Sequence, residues 1–159
     1  METTAHEFCS RSVEQTQAAA ALLADLLEPG SVIAFDGDLG AGKTHFVQGL
    51  AQGLGVKSAL TSPTFNVMSS YPEGRLPLYH FDLYRLEDAL ELEDIAFYDL
   101  VEADGVSCIE WATKFPDEIP AHGLWLAITT AEDGARRIVA TASDARTDAL
   151  IAEWFARLA

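Results

Sequence analysis

The segment Gly37-Asp38-Leu39-Gly40-Ala41-Gly42-Lys43-Thr44 fits G-x-x-x-x-G-K-[ST] at every position. It follows an apolar run, "SVIAFDG" (Ser31–Gly37), that reads as a buried strand. It opens "KTHFVQGLAQGLG", where Phe46, Val47, Leu50 and Leu54 recur at helical spacing and Gly55 is the expected C-cap. A loop that wraps a phosphate must turn its N–H groups inward, through dihedrals and a close approach that glycine adopts at little cost. The helix beginning there adds its partly positive N-terminus. Asp38, Leu39, Gly40, Ala41 and Gly42 therefore offer backbone amides, and Lys43 offers an ammonium to the β- and γ-phosphates of a nucleotide. Thr44 brings a hydroxyl suited to Mg²⁺. His45 stands where many proteins with this motif carry a second hydroxyl for the α-phosphate. Either its ring nitrogen or N–H takes that contact, or it is an exposed helix residue.

The remaining chain extends strand, turn and helix into a sheet. Ser12-Val-Glu-Gln15 has the capping-box pattern and opens an alanine- and leucine-rich helix to about Leu27, stopped by Pro29-Gly30. "TSPTFNVMSSYPEGRLPLYHFDLYRL" contains two strand-like runs around a Pro72–Gly74 turn. "EDALELEDIAFYDLVEADG" is acidic and at least partly helical, and "GVSCIEW" is a second buried strand. "LWLAITT" and "RRIVATAS" form a hairpin with Asp133-Gly134 near its turn, and "RTDALIAEWFARL" is an amphipathic helix. Two buried strands, one feeding a glycine-rich turn, predict an α/β fold: a P-loop NTPase-like mixed sheet, parallel at its centre, antiparallel at its edges and flanked by helices. No repeat or linker interrupts residues 1–159, so one domain is expected.

Charge narrows the partners. The formal net charge of −15 weighs against autonomous nucleic-acid binding, because phosphate contacts require a lysine and arginine surface. It fits a solvated acidic surface or a protein partner with a basic face. No segment approaches the ~20 apolar residues of a membrane span. The polar start, "METTAHEFCSRSVEQ", lacks the order of a secretion signal, so a cytoplasmic protein is expected. Cys9 and Cys108 are far apart, Cys108 reads as a core residue, and no Cys/His pair has zinc-ligand spacing. A bound metal is expected to have oxygen ligands.

A phosphate loop that hydrolyses nucleotide needs a carboxylate near the cation and a group to position water. Glu110 ends "GVSCIE", where a strand would deliver it to the sheet's C-terminal edge beside the loop. Asp82 interrupts "LYHFDLYRL", and a charge inside an apolar run is costly unless partnered. It is a metal-site acid, a salt-bridge partner or a strand-end turn residue. Strand alternation would put His80, Asp82 and Tyr84 on one face, with Phe81, Leu83 and Arg85 on the other. In "TSPTF" (Thr61–Phe65), hydroxyls including Thr64 either answer a γ-phosphate or simply make a polar turn. The acids of "EDALELED" and "DEIP" are read as a solvated face.

"GDLGAGKT", "SPTF", "HFDLYRL" and "IEW", in that order from about Val32 to Trp111, resemble the TsaE (YjeE) family of small ATPases in tRNA threonylcarbamoyladenosine synthesis. The resemblance implies ATP or ADP and Mg²⁺ as ligands and slow hydrolysis. It also implies partnership with a TsaB–TsaD complex through which tRNA is reached only indirectly, and no membrane. Carried over by motif, Lys43 and the loop amides hold phosphate, and Thr44 and Glu110 serve Mg²⁺. Thr64 belongs to a switch-like loop, Asp82 is the acid tied to hydrolysis, and Trp111 packs beside the site, in the core or against a partner. Two readings compete: a small-molecule kinase, which usually brings an arginine-rich lid absent from this sequence, and a nucleotide-binding module without turnover.

Overall fold

The computed structural model describes residues 4–36, 43–57, 67–101 and 103–158. Its strands are β1 (Thr4–Ser10), β2 (Val32–Asp36), β3 (Met68–Tyr71), β4 (Leu78–Asp82), β5 (Val106–Glu110), β6 (Leu124–Thr130) and β7 (Arg136–Ala142). They form a seven-stranded sheet in the order β1-β7-β6-β2-β5-β4-β3. β6, β2, β5 and β4 run parallel, while β3 pairs antiparallel with β4, and β7 with both β6 and β1. This is the mixed sheet anticipated from the apolar runs, parallel in the middle and antiparallel at both margins.

Side-chain chemistry explains the layering. Helices α1 (Val13–Ala24), α2 (Lys43–Leu54) and α5 (Ala145–Leu158) cover one face. Their core gathers Leu23, Phe46, Leu50, Ile151 and Trp154 over Ile33, Phe35, Cys108, Leu126 and Ile138. The short helices α3 (Glu91–Asp94) and α4 (Phe97–Leu100) lie over the other face, where Leu92 and Phe97 meet Ala34, Phe81 and Ile109. Full burial of one such Leu or Phe stabilises the fold by about 1.5–3 kcal/mol.

Ser12 caps α1 as its pattern predicts: its side chain accepts from Gln15 N at 3.0 Å, and Gln15 Oε1 accepts from Arg11 N at 2.6 Å. The helix ends at Ala24 rather than Leu27, where Leu26 N donates to Leu23 O and Leu27 N to Ala24 O, and Arg75, from the β3–β4 turn, donates to Ala24 O at 2.6 Å and Leu27 O at 3.2 Å. A cation at a helix C-terminus satisfies orphan carbonyls and opposes the helix dipole. The α1 and α2 axes approach closely because Gly49 and Gly53 present no side chain. A Cβ on Gly49 would overlap Gln17 O and lie 2.6 Å from Gln17 Cα and 2.8 Å from Ala20 Cβ. Gly55 ends α2 at φ +88°, as its C-cap position requires.

The N-terminal segment, read from sequence only as polar, is the edge strand β1. Its Phe8 packs inward against Trp154 and Phe155, with ring centroids 5.9 and 5.6 Å away. Glu7, on its exposed side, accepts two hydrogen bonds from Arg137. Both cysteines are free thiols, and burial pushes the Cys108 thiol well up.

Candidate functional site

Because β2, β5 and β4 are parallel neighbours, their C-terminal ends share one edge of the sheet. Asp36, Glu110 and Asp82 are the last residues of those strands. α2 begins at Lys43, seven residues after the last residue of β2. Asp38, Leu39, Gly40, Ala41 and Gly42 lie outside the described residues, as do Thr61–Phe65 with Thr64. Among the described residues the structure brings together three predicted ones: Lys43, Asp82 and Glu110.

Lys43 is only 3% exposed. Its Nζ lies 5.3 Å from the centroid of the Trp111 ring, a cation–π distance. Thr44 follows in the same first turn, half-buried. His45 is exposed, with Nδ1 3.3 Å from Gln48 Oε1, one turn along the helix.

Asp82 and Glu110 are register partners across β4 and β5. Glu110 is 5% exposed and its Oε2 lies 2.6 Å from His80 Nε2. Sequence alternation placed His80 on the same face as Asp82, but the residue was not singled out as part of the site. The available signal was a histidine inside an apolar run, whose fully buried ring requires a polar partner. Asp82 is half-buried, and its Oδ1 accepts from Tyr84 N at 3.0 Å. Burial pushes its carboxyl above the ordinary value; the Tyr84 N–H pulls it back, Glu110 pushes it up, and His80 and Lys43 pull it down. Glu110, His80 and Lys43 thus all lie close enough to Asp82 to act on its carboxyl.

The strand predicted to continue through Arg85 ends at Asp82. The side-chain bond to Tyr84 N folds the chain into a turn, reinforced by Leu86 N donating to Leu83 O at 3.1 Å. Tyr84 therefore leaves the face shared by His80 and Asp82. It becomes 53% exposed and packs against Trp111 with the rings tilted by 46° and their centroids 4.9 Å apart. Lys114 completes the outer end, donating to Tyr84 O at 2.6 Å with its Nζ 5.9 Å from the Tyr84 ring centroid. Trp111 adopts φ +59° and turns the chain immediately beyond Glu110.

At the opposite end of β2, a cleft is lined by Leu27, Gly30, His122, Asp144, Arg146 and Leu150. None of the predicted site residues lines it. Among the described residues no cluster of three or more His, Cys, Asp or Glu is arranged for a metal, and no helix is long and apolar enough to cross a membrane.

Known proteins share this sequence pattern and fold. The family model for Threonylcarbamoyl adenosine biosynthesis protein TsaE matches residues 10–138. A tRNA threonylcarbamoyladenosine biosynthesis protein TsaE of Bacillus subtilis is 42% identical over 140 residues, covering 88% of this chain and 87% of the relative. One of Treponema pallidum is 42% identical over 129 residues, covering 81% and 95%. The crystal structure of Bacillus subtilis YdiB superposes with a TM-score of 0.84 at 33% identity, covering 99% of this chain and 98% of that one. With its phosphate-loop sequence, mixed sheet and paired strand-end acids, the chain belongs to the TsaE family of threonylcarbamoyladenosine biosynthesis proteins.

Proposed function

We propose that this chain binds ATP with Mg²⁺ and hydrolyses it slowly, serving tRNA threonylcarbamoyladenosine formation by a TsaB–TsaD-like complex. The observation that carries the reading is the meeting of Lys43, Asp82 and Glu110 at the edge where β2 leads towards α2. An isolated phosphate-loop motif requires only the lysine; two acids at neighbouring strand ends supply what hydrolysis adds.

In this reading the amides of Asp38, Leu39, Gly40, Ala41 and Gly42 cradle the phosphates and Lys43 neutralises their charge. His45 flanks the α-phosphate through its N–H or ring, and Thr64 answers the γ-phosphate. The donor set suits Mg²⁺, a hard cation usually held by one or two protein oxygens together with phosphate and water. Thr44 and Glu110 would supply those oxygens, and bound Mg²⁺ would offset the negative charge of the β- and γ-phosphates. Asp82, with its desolvated carboxyl, orients the attacking water or steadies the cation's water shell. The −15 charge leaves tRNA contact to the partner proteins.

The test measures phosphate release with and without TsaB and TsaD, alongside ATP binding by calorimetry. Turnover raised by the partners is the expected result. Transfer of phosphate to a metabolite would replace this reading with a kinase, and binding without turnover would leave a nucleotide-binding module. Lys43→Ala is expected to weaken ATP binding on the order of 100-fold, roughly 2.7 kcal/mol, as befits loss of a charge-assisted contact. Unchanged affinity in that variant would remove Lys43 from the phosphate site.

A further inference from the structure

The parallel centre of the sheet buries an imidazole where an aliphatic side chain would pack at lower cost. His80 is 0% exposed on β4 and has Cys108 as its register partner. Among the described residues its ring has one hydrogen-bond partner: Nε2 lies 2.6 Å from Glu110 Oε2, while Nδ1 is buried without one. An ionised carboxylate can only accept, so Nε2 donates. The ring's polar capacity is thus directed at one oxygen of Glu110.

We propose that His80 is a positioning residue for Glu110. Its Nε2–H holds Oε2 and so directs Oε1 towards the cation that accompanies the nucleotide. The inference rests on the reading of Glu110 as a Mg²⁺ ligand. A carboxylate free to rotate about its last torsion would present either oxygen at a range of angles; one held at 2.6 Å by a buried donor has its direction set before the cation arrives. The donor is supplied by β4, and the same strand carries Asp82 two residues later. One strand therefore aligns both acids.

The test compares affinity for a fluorescent, slowly hydrolysed ATP analogue in excess Mg²⁺ and in EDTA. Loss of an outer hydrogen-bond partner typically weakens metal affinity about 10–100-fold. His80→Leu is expected to reduce the Mg²⁺-dependent gain in nucleotide affinity by a similar factor, while the EDTA affinity stays within about twofold. His80→Gln, whose side-chain amide can reach Oε2, should restore most of the gain. In a Glu110→Gln background, His80→Leu should change the gain no further. If His80→Leu fails to fold, His80→Asn, whose amide stops short of Oε2, carries the same expectation. An unchanged Mg²⁺ gain in a folded variant, or equal losses with and without Mg²⁺, would overturn the positioning role alone. A wild-type protein whose nucleotide affinity ignores Mg²⁺ would overturn the cation reading of Glu110 as well.

Discussion

The parallel centre and the antiparallel wing of the sheet solve different packing problems. In β2, β4 and β5 nearly every residue is buried, because helices cover both faces. In β6 and β7 buried residues mostly alternate with partly exposed ones, because only the face beneath α5 and its neighbours is covered. A strand enclosed on both sides leaves its polar side chains no route to water, so a charged group there gains most from a partner or a place at its end. His80 finds Glu110, while Asp82 and Glu110 occupy strand termini. The wing faces no such demand and places Glu7 and Arg137 in solvent as an ion pair. The centre carries the candidate chemistry, and the wing contributes apolar burial.

Trp154→Ala should break that division most visibly if it is wrong. The fully buried indole packs against Phe8 and Phe46, each 5.9 Å away by ring centroid, and donates to Ala19 O at 2.8 Å. Its removal should cost about 3–5 kcal/mol in urea unfolding. The molecules that remain folded should keep wild-type ATP affinity. Affinity falling in step with stability would mean that the wing also shapes the site.

Gly49→Ala tests the helix layer over the centre. Alanine adds about 1 kcal/mol of helix propensity, but its methyl would press on the α1 backbone, and overpacking costs typically 1–3 kcal/mol. A net loss on the order of 1 kcal/mol is expected in the same unfolding measurement. A net gain would show that α1 and α2 can separate freely.

Asp82→Asn should give the smallest change in stability, and in the opposite direction. Burial raises the folded-state pKa of Asp82, so its ionised form disfavours the native state. That penalty is absent below the unfolded-state pKa, grows as pH rises between the two values and is complete above the folded-state one. In EDTA the variant should melt slightly higher than wild type at pH 7, with the difference vanishing in acid, while its turnover in Mg²⁺ falls. A lower melting temperature at pH 7 would mean that the carboxylate stabilises the fold rather than serving the site alone.

Much of this architecture was legible because the enclosed strands announce themselves. "SVIAFDG" and "GVSCIEW" are apolar runs that only a doubly covered strand explains, and each points its final acid at the sheet edge. β1 was missed because an edge strand covered on one side carries Glu7 and Cys9 in solvent and looks polar by composition. The carbonyls at the end of α1 are met by Arg75, 51 residues further along, and no local pattern reports such a partner. Tyr84 was misplaced because alternation assumes an unbroken strand, whereas the carboxyl of Asp82 ends it by capturing Tyr84 N. His80 was placed on the proper face, but its bond to Glu110 spans two strands and became visible only once their register was set.

Trp111 sits in the left-handed region at φ +59°, a conformation that typically costs a bulky residue about 1–3 kcal/mol. It works as a mechanical stop at the tip of β5, since no further rung can form past Glu110 without unwinding it. Where Glu110 leaves the sheet is then fixed by the main chain, and its side chain spans the rest. Shortening that arm by one methylene leaves a gap that the backbone cannot slide forward to close.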